Sequence, residues 1–276
     1  MKDLLTRVGL WPALRRMRYQ VRSQSLRDSP PQSFDFGSSE LRFHTNDPYS
    51  HDWFLPRYRD GAWHEASASK LWIEACRDAA VVVDVGANLG WFSCLAAMAN
   101  PKTRVYAFEP AASNLKLAKA NAELNALHQI DWKSVIVGDG KTKVSWVEGA
   151  PGLPHASNRA QVSGEQFETM ALDDFFRSRP KPDVVKIDVE GTEDLVLHGM
   201  DSLLQDKTLR AVLMEIHPAW LAERNIKART LAERLIDAGF QLSIVPNLPE
   251  ADLVRYCPEA LEAAANGEVK IWAVRA

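Results

Sequence analysis

Several charged residues in this chain end short apolar runs, where an α/β sheet presents side chains to a ligand. Asp84 closes the run Val81–Val83, Glu109 follows Arg104–Phe108, and Lys186, Asp188 and Glu190 alternate with apolar residues through VVKIDVEG at Val184–Gly191. Glu215 and His217 end the run Ala211–Ile216. Alternation puts Lys186, Asp188 and Glu190 on one side of an extended chain. Three charges on one side of a core strand are costly to bury, so Asp188 and Glu190 are expected at its carboxyl end, with Lys186 paired to a carboxylate below. A carboxylate accepts two hydrogen bonds at once, which suits a ribose diol. Glu109 lies about 25 residues after Asp84, near the roughly 20-residue offset at which an acid meets ribose hydroxyls in nucleotide-binding folds. Asp188, as base or as the group that orients the acceptor, and His217, which has the intrinsic range for a general base, are candidates for relieving an acceptor hydroxyl of its proton, while Glu190 is read as orienting the acceptor or holding the following helix.

Between Asp84 and the next apolar stretch stands Gly86-Ala87-Asn88-Leu89-Gly90. Glycines here permit a tight turn and close approach of a ligand to the backbone, and the helix opening at Trp91 would face the ligand with free N–H groups. The spacing is not the G-x-G-x-x-G dinucleotide pattern. It resembles the glycine-rich loop of S-adenosylmethionine methyltransferases. The wider order of motifs is more specific: DVGANLG, then FEP at Phe108–Pro110, LDD at Leu172–Asp174, KIDVEG, and a strand ending in EIH at Glu215–His217. In this order they resemble the FkbM family of methyltransferases over roughly Asp84 to His217, about half the chain.

That resemblance implies a Rossmann-like class I methyltransferase, an α/β fold with a mostly parallel seven-stranded sheet in the order 3-2-1-4-5-7-6 and helices on both faces. It implies O-methyl transfer from S-adenosylmethionine, with S-adenosylhomocysteine as product, to a hydroxyl of a sugar, glycan or natural-product acceptor. The expected cofactor site holds Asp84, Gly86, Asn88, Gly90, Glu109, Pro110, Ser134, Val135 and Asp188, with Ser134 and Val135 flanking the adenine. The expected catalytic residues are Asp188, His217 and Glu190. Asp188, Glu190, Glu215 and His217 could collect a divalent cation, since hard oxygen ligands suit Mg²⁺, but their spacing proves no site and no metal residues are assigned. Asp173 and Asp174 are read as caps of their own helix. An RNA or protein methyltransferase and a non-catalytic S-adenosylmethionine-binding assembly protein are the alternatives.

The elements that position these residues follow from pattern. From Val81 onward strand and helix alternate, the signature of a parallel sheet. Strands are expected at Arg104–Phe108, Trp132–Val137 and Ala211–Ile216, with Gln241–Val245 and Glu268–Val274 as a terminal antiparallel pair, and a loop is expected at Gly149–Gly164. Residues 76–276 are read as the methyltransferase domain and residues 1–75 as an N-terminal extension. That extension comprises a basic segment, a Pro-containing linker and an aromatic-rich cap with Trp53, Phe54, Tyr58 and Trp63. Residues 1–27 carry seven basic side chains against the single acid Asp3. Such a helix could touch an anionic membrane, but packing on its own domain is the simpler reading.

Composition excludes several classes. Hydrophobic residues at 46%, charged residues at 25% and a net charge of −3 over 276 residues describe an ordinary globular protein with no general pull toward nucleic acid. The 3 cysteines, Cys76, Cys94 and Cys257, form neither a zinc pattern nor a disulfide framework, which fits a cytoplasmic setting. No apolar run is long enough for a transmembrane span, and a homo-oligomer is compatible with everything above.

Overall fold

A computed structural model describes residues 29–47, 49–50, 54–58, 62–147, 159–161, 166–246, 252–263 and 267–275, together with Met17 and Val21. The expectations for the basic segment, for Trp53 and for most of the loop 149–164 lie outside these residues. The described chain forms two compact units, one ending at Trp63 and the other beginning at His64.

In the first unit, β1 (Gln32–Asp35) and β2 (Glu40–Phe43) pair as an antiparallel hairpin with Phe34 opposite Leu41. Phe34, Leu41 and Phe43 are buried, and the rings of Phe34 and Phe43 meet edge to face at 5.8 Å. Trp63 packs against Phe36, its ring centroid 4.4 Å away, and its indole N–H donates to the Asp35 carbonyl at 2.9 Å. These aromatic residues therefore work as packing within the unit.

The second unit is built on one large sheet. Its strands are β3 (Val81–Val85), β4 (Arg104–Phe108), β5 (Ile130–Lys133), β10 (Val184–Ile187), β11 (Ala211–Ile216), β12 (Phe240–Val245), β13 (Val254–Arg255) and β14 (Val269–Arg275). Across the sheet they run β5-β4-β3-β10-β11-β14-β12-β13. The first five in that order are parallel; β14 runs antiparallel to both β11 and β12. This is the expected 3-2-1-4-5-7-6 order with one short strand, β13, added at the edge. Every residue of β3, β10 and β11 is buried, so both faces of the sheet centre are covered, as continuous β-branched and aliphatic runs require. The helix Trp91–Ala99 follows β3 directly and buries residues 91 to 97. The helix Ala66–Cys76 packs on it, with the Trp72 indole N–H donating to the Phe92 carbonyl at 2.8 Å and that of Trp91 donating to Ser69 Oγ at 2.9 Å.

Two elements differ from expectation. The strand expected over Trp132–Val137 breaks at Ser134: β5 stays in the large sheet, while β6 (Ile136–Val137) leaves it to pair with β9 (Gln166–Met170), Ile136 facing Thr169. The departure is fixed by the Gly138 N–H donating to the Met170 carbonyl at 3.0 Å. The second sheet, ordered β6-β9-β7-β8, is completed by β7 (Lys143–Val147) and β8 (Arg159–Gln161). The described part of the expected loop 149–164 is thus a strand, held by antiparallel pairing of Gln161 with Ser145. Its polar composition suggested a loop because a short strand at a sheet edge demands no apolar pattern.

Candidate active site

The glycine loop is hooked to its neighbours by backbone bonds. The N–H groups of Gly86 and Ala87 donate to the Phe108 carbonyl at 2.9 and 3.0 Å, and the Asp188 N–H donates to the Val85 carbonyl at 3.0 Å. Gly86 has φ +80, and a Cβ there would lie 1.8 Å from the Asp188 carbonyl oxygen. Only glycine lets the ends of β3 and β10 approach this closely. The side-chain amide of Asn121 donates to the Leu89 carbonyl at 2.9 Å and ties the loop to the helix Ala112–Leu124.

Glu109 is part of this loop's scaffold. Its Oε2 accepts the Asn88 N–H at 2.8 Å and its Oε1 accepts the Ala111 N–H at 2.9 Å. Asn88 itself sits at φ +52, a left-handed conformation that Asn tolerates better than most residues. Burial pushes the Glu109 carboxyl up to about 7, against the two amide bonds that favour its charged form. Pro110 beside it is half-buried. Ser134 is exposed and Val135 half-buried, at the break between β5 and β6.

Asp84 points into the protein. It is fully buried, Oδ2 accepts from Ser93 Oγ at 2.6 Å, and Oδ1 lies 3.8 Å from Lys186 Nζ. Burial raises its pKa, with Lys186 and Ser93 opposing. Lys186 also donates to Asp188 Oδ2 at 3.2 Å and lies 4.9 Å above the Phe92 ring. Burial alone would lower the lysine; Asp188 and Asp84 outweigh it and keep the ammonium charged. The pairing of Lys186 expected from alternation is therefore with Asp84 on one side and Asp188 on the other.

At the ends of β10 and β11 the structure gathers Asp188, Glu190 and His217, whose ligand-capable atoms all lie within 4.8 Å of one another. Glu190 reaches this position because the chain turns at φ +56 there and at φ +103 at Gly191. The turn is latched by Arg224, which donates to the Gly191 carbonyl at 3.0 Å and pairs with Asp194. His217 Nε2 lies 3.2 Å from Glu190 Oε2 and 3.7 Å from Glu215 Oε1, while Nδ1 lies 2.6 Å from Glu193 Oε1. The Trp220 ring stacks on the imidazole at 4.7 Å. Burial would lower His217, but the hydrogen bond and charge of Glu193, with Glu190 behind them, push it up to about 9. Burial and Asp188 push Glu190 up to about 8.

Four residues of this region were not singled out by their sequence positions. Glu193, fully buried in the first turn of the helix Glu193–His198, orients His217. Lys270 on β14 holds Glu215 at 3.1 Å, Glu268 at 3.1 Å and Glu65 at 3.5 Å. A lysine inside the otherwise apolar run Val269–Val274 was the available signal, because a buried lysine requires an acidic partner. Asp173 corrects an expectation: its carboxylate accepts the N–H groups of Ser202 and Leu203 at 2.8 and 3.0 Å, so it caps the helix Asp201–Gln205 and not its own. Asp174 pairs with Arg177 on the surface.

The relatives that the chain matches include two methyltransferases. It is 30% identical to the hexuronic acid methyltransferase AglP of Haloferax volcanii over 156 residues, 55% of this chain and 62% of AglP. It is 25% identical to Methyltransferase 1 of Beauveria bassiana over 162 residues, 48% of this chain and 65% of that protein. The match thus spans somewhat under two thirds of either relative. Among solved structures, the S-adenosylmethionine-dependent methyltransferase from Agrobacterium tumefaciens superposes with a TM-score of 0.48 at 11% identity, over 90% of this chain and 71% of that one. The family model described as the methyltransferase FkbM domain matches residues 84–242, more than half of the sequence and every strand-end residue described above, and the chain belongs to that family.

Proposed function

We propose that this protein is an S-adenosylmethionine-dependent O-methyltransferase acting on a hydroxyl of a sugar, glycan or natural-product acceptor. The observation that carries this reading is the convergence of Asp188, Glu190 and His217 at the strand ends beside the Gly86–Gly90 loop. S-adenosylmethionine, when bound, supplies an activated methyl group on a sulfonium. The residues present fit such a cation, because carboxylates outnumber bases at these strand ends. Glu109, aimed by the amides of Asn88 and Ala111, keeps further lone pairs for ribose hydroxyls. Asp84 acts from beneath, fixing Lys186 and through it Asp188.

Asp188 accepts a hydrogen bond from the acceptor hydroxyl and sets its direction of approach. Glu190 and His217 form the wall beside it. The acidic strand ends disfavour a polyanion such as RNA, and the relation to a hexuronic acid methyltransferase supports a sugar as the first acceptor class to try.

The test is calorimetric titration with S-adenosylhomocysteine, followed by mass spectrometry of sugars and hydroxylated natural products incubated with enzyme and S-adenosylmethionine. Micromolar binding and a one-methyl mass gain on an acceptor hydroxyl are expected. Asp188→Asn should leave the binding in place and lower transfer by roughly 100-fold, the scale on which a positioned proton acceptor acts. A protein that does not bind S-adenosylhomocysteine refutes the proposal.

A further inference from the structure

We infer that Asp188, Glu190 and His217 form a divalent-cation site, with Glu193 as the carboxylate that orients the histidine. Three observations lead there. The first is geometric: two carboxylates and one imidazole bring ligand atoms within 4.8 Å of one another, from the ends of two adjacent parallel strands. A set of this kind, two oxygens and one nitrogen with room for further oxygen ligands, suits Mn²⁺ or Mg²⁺.

The second is the arrangement behind the histidine. His217 Nδ1 is held at 2.6 Å by Glu193 Oε1, which leaves Nε2 directed at Glu190 Oε2, 3.2 Å away. Metal-binding histidines are held in this way, the far nitrogen bound to a carboxylate that fixes the tautomer and the ring. The Trp220 ring stacked on the imidazole and the Gly191 N–H donating to Glu193 Oε1 at 3.0 Å restrict it further.

The third is a buried carboxylate oxygen without a hydrogen-bond partner. Glu193 is fully buried, and its Oε2 takes no hydrogen bond among the described residues. Asp84 Oδ1, also buried, takes none either, with Lys186 at 3.8 Å as its nearest cation. Around these stand Glu65, Asp188, Glu190 and Glu215, against the side chains of Lys186, Lys270 and His217. Buried carboxylates in this excess must be met by protons or by a further positive charge. A divalent ion at the Asp188–Glu190–His217 position provides such a charge beside Glu193. The overlapping set Glu215, His217 and Glu268 is the poorer candidate, since Lys270 already occupies both of its carboxylates at 3.1 Å.

The site stands at the strand ends where the proposed reaction takes its acceptor, and a cation there would hold the acceptor oxygen. The inference about the ion does not need that reading, and its test involves neither cofactor nor acceptor. Full-length protein, freed of metal with a chelator, is titrated with Mn²⁺ by calorimetry and by electron paramagnetic resonance, with Mg²⁺ as competitor. One Mn²⁺ per chain is expected. Its affinity should fall about 10-fold or more in Glu190→Gln, in His217→Gln and in Glu193→Gln, the range seen for ligands and their supporting carboxylates. Glu190 is partly exposed and its amide variant should fold, which thermal melting verifies. Failure of folded wild-type protein to bind Mn²⁺, or binding indifferent to all three substitutions, overturns the inference. S-adenosylhomocysteine affinity measured on the same chelated sample separates this outcome from failure of the methyltransferase reading.

Discussion

Lys270 stands directly opposite Glu215 in the antiparallel pairing of β14 with β11, its Nζ 3.1 Å from Glu215 Oε2 and 3.5 Å from Glu65 Oε1. One lysine thereby neutralises carboxylates from a strand end and from the residue that precedes the helix Ala66–Cys76. Burial would lower the ammonium's pKa, but Glu215 and Glu65 hold it raised.

Removing that lysine alone should be severe. Lys270→Met leaves Glu215 and Glu65 buried without their shared lysine, and the expected loss is about 3–5 kcal/mol of folding stability. Lys270→Met combined with Glu215→Leu removes both members of the closest pair and should recover much of the loss. Denaturant unfolding of the two variants checks this; equal destabilisation in both would show that the pair is not the source.

Stability should fall as pH rises. Glu109 ionises near 7 in the folded protein, compared with 4.5 as its ordinary value. The folded state therefore keeps a proton that the unfolded state has lost, and stability declines from about pH 4.5 to about pH 7 and then levels for this group. Asp84 and Glu215, raised chiefly by burial, act with the same sign. The contribution of Glu109 is on the order of 3 kcal/mol at most. Unfolding by denaturant at pH 5.5 and pH 8 should show the ligand-free protein more stable at the lower value, and Glu109→Gln should shrink the difference. A protein more stable at pH 8 would contradict the buried state of these acids.

The approach of β3 to β10 depends on Gly86. In Gly86→Ala the new methyl group would overlap the Asp188 carbonyl, 1.8 Å away, on a backbone at φ +80. The left-handed backbone alone costs about 1–2 kcal/mol for an L-residue, and the overlap forces the strand ends apart in addition. The expected result is a loss of at least about 2 kcal/mol of stability, together with weakened S-adenosylhomocysteine binding. Thermal melting and calorimetry would show it; wild-type behaviour in both would mean that the strand ends can separate without consequence.

Much of this protein is legible along the chain. The runs Val81–Val85, Val184–Ile187 and Ala211–Ile216 read as central strands because a parallel strand covered on both faces must be apolar at successive positions, a local property. The Gly86–Gly90 turn, the acids that end the strands, the family and the order of strands across the large sheet follow from motifs that are contiguous in sequence. Asp84, Glu109, Asp188, Glu190 and His217 were identifiable as the charged residues of those motifs.

Their partners were not, for a physical reason. Periodicity tells which side of its own element a side chain leaves, but not what it meets across space. Glu193 looked like one more acid in a helix's first turn, and only folding brings it under His217. Lys270 lies 55 positions after Glu215 in the numbering, and antiparallel pairing at the far end of the chain makes them neighbours. Asp173 carries a local capping signal, yet its carboxylate serves a helix that begins at Asp201. The division of Trp132–Val137 between two sheets likewise depends on where Thr169 arrives, which no spacing along the chain tells. The sequence by itself determined the scaffold and the charged residues at its strand ends. Only the tertiary structure decided which charges neutralise one another, because a buried carboxylate's state depends on through-space distances of a few ångströms that no spacing along the chain encodes.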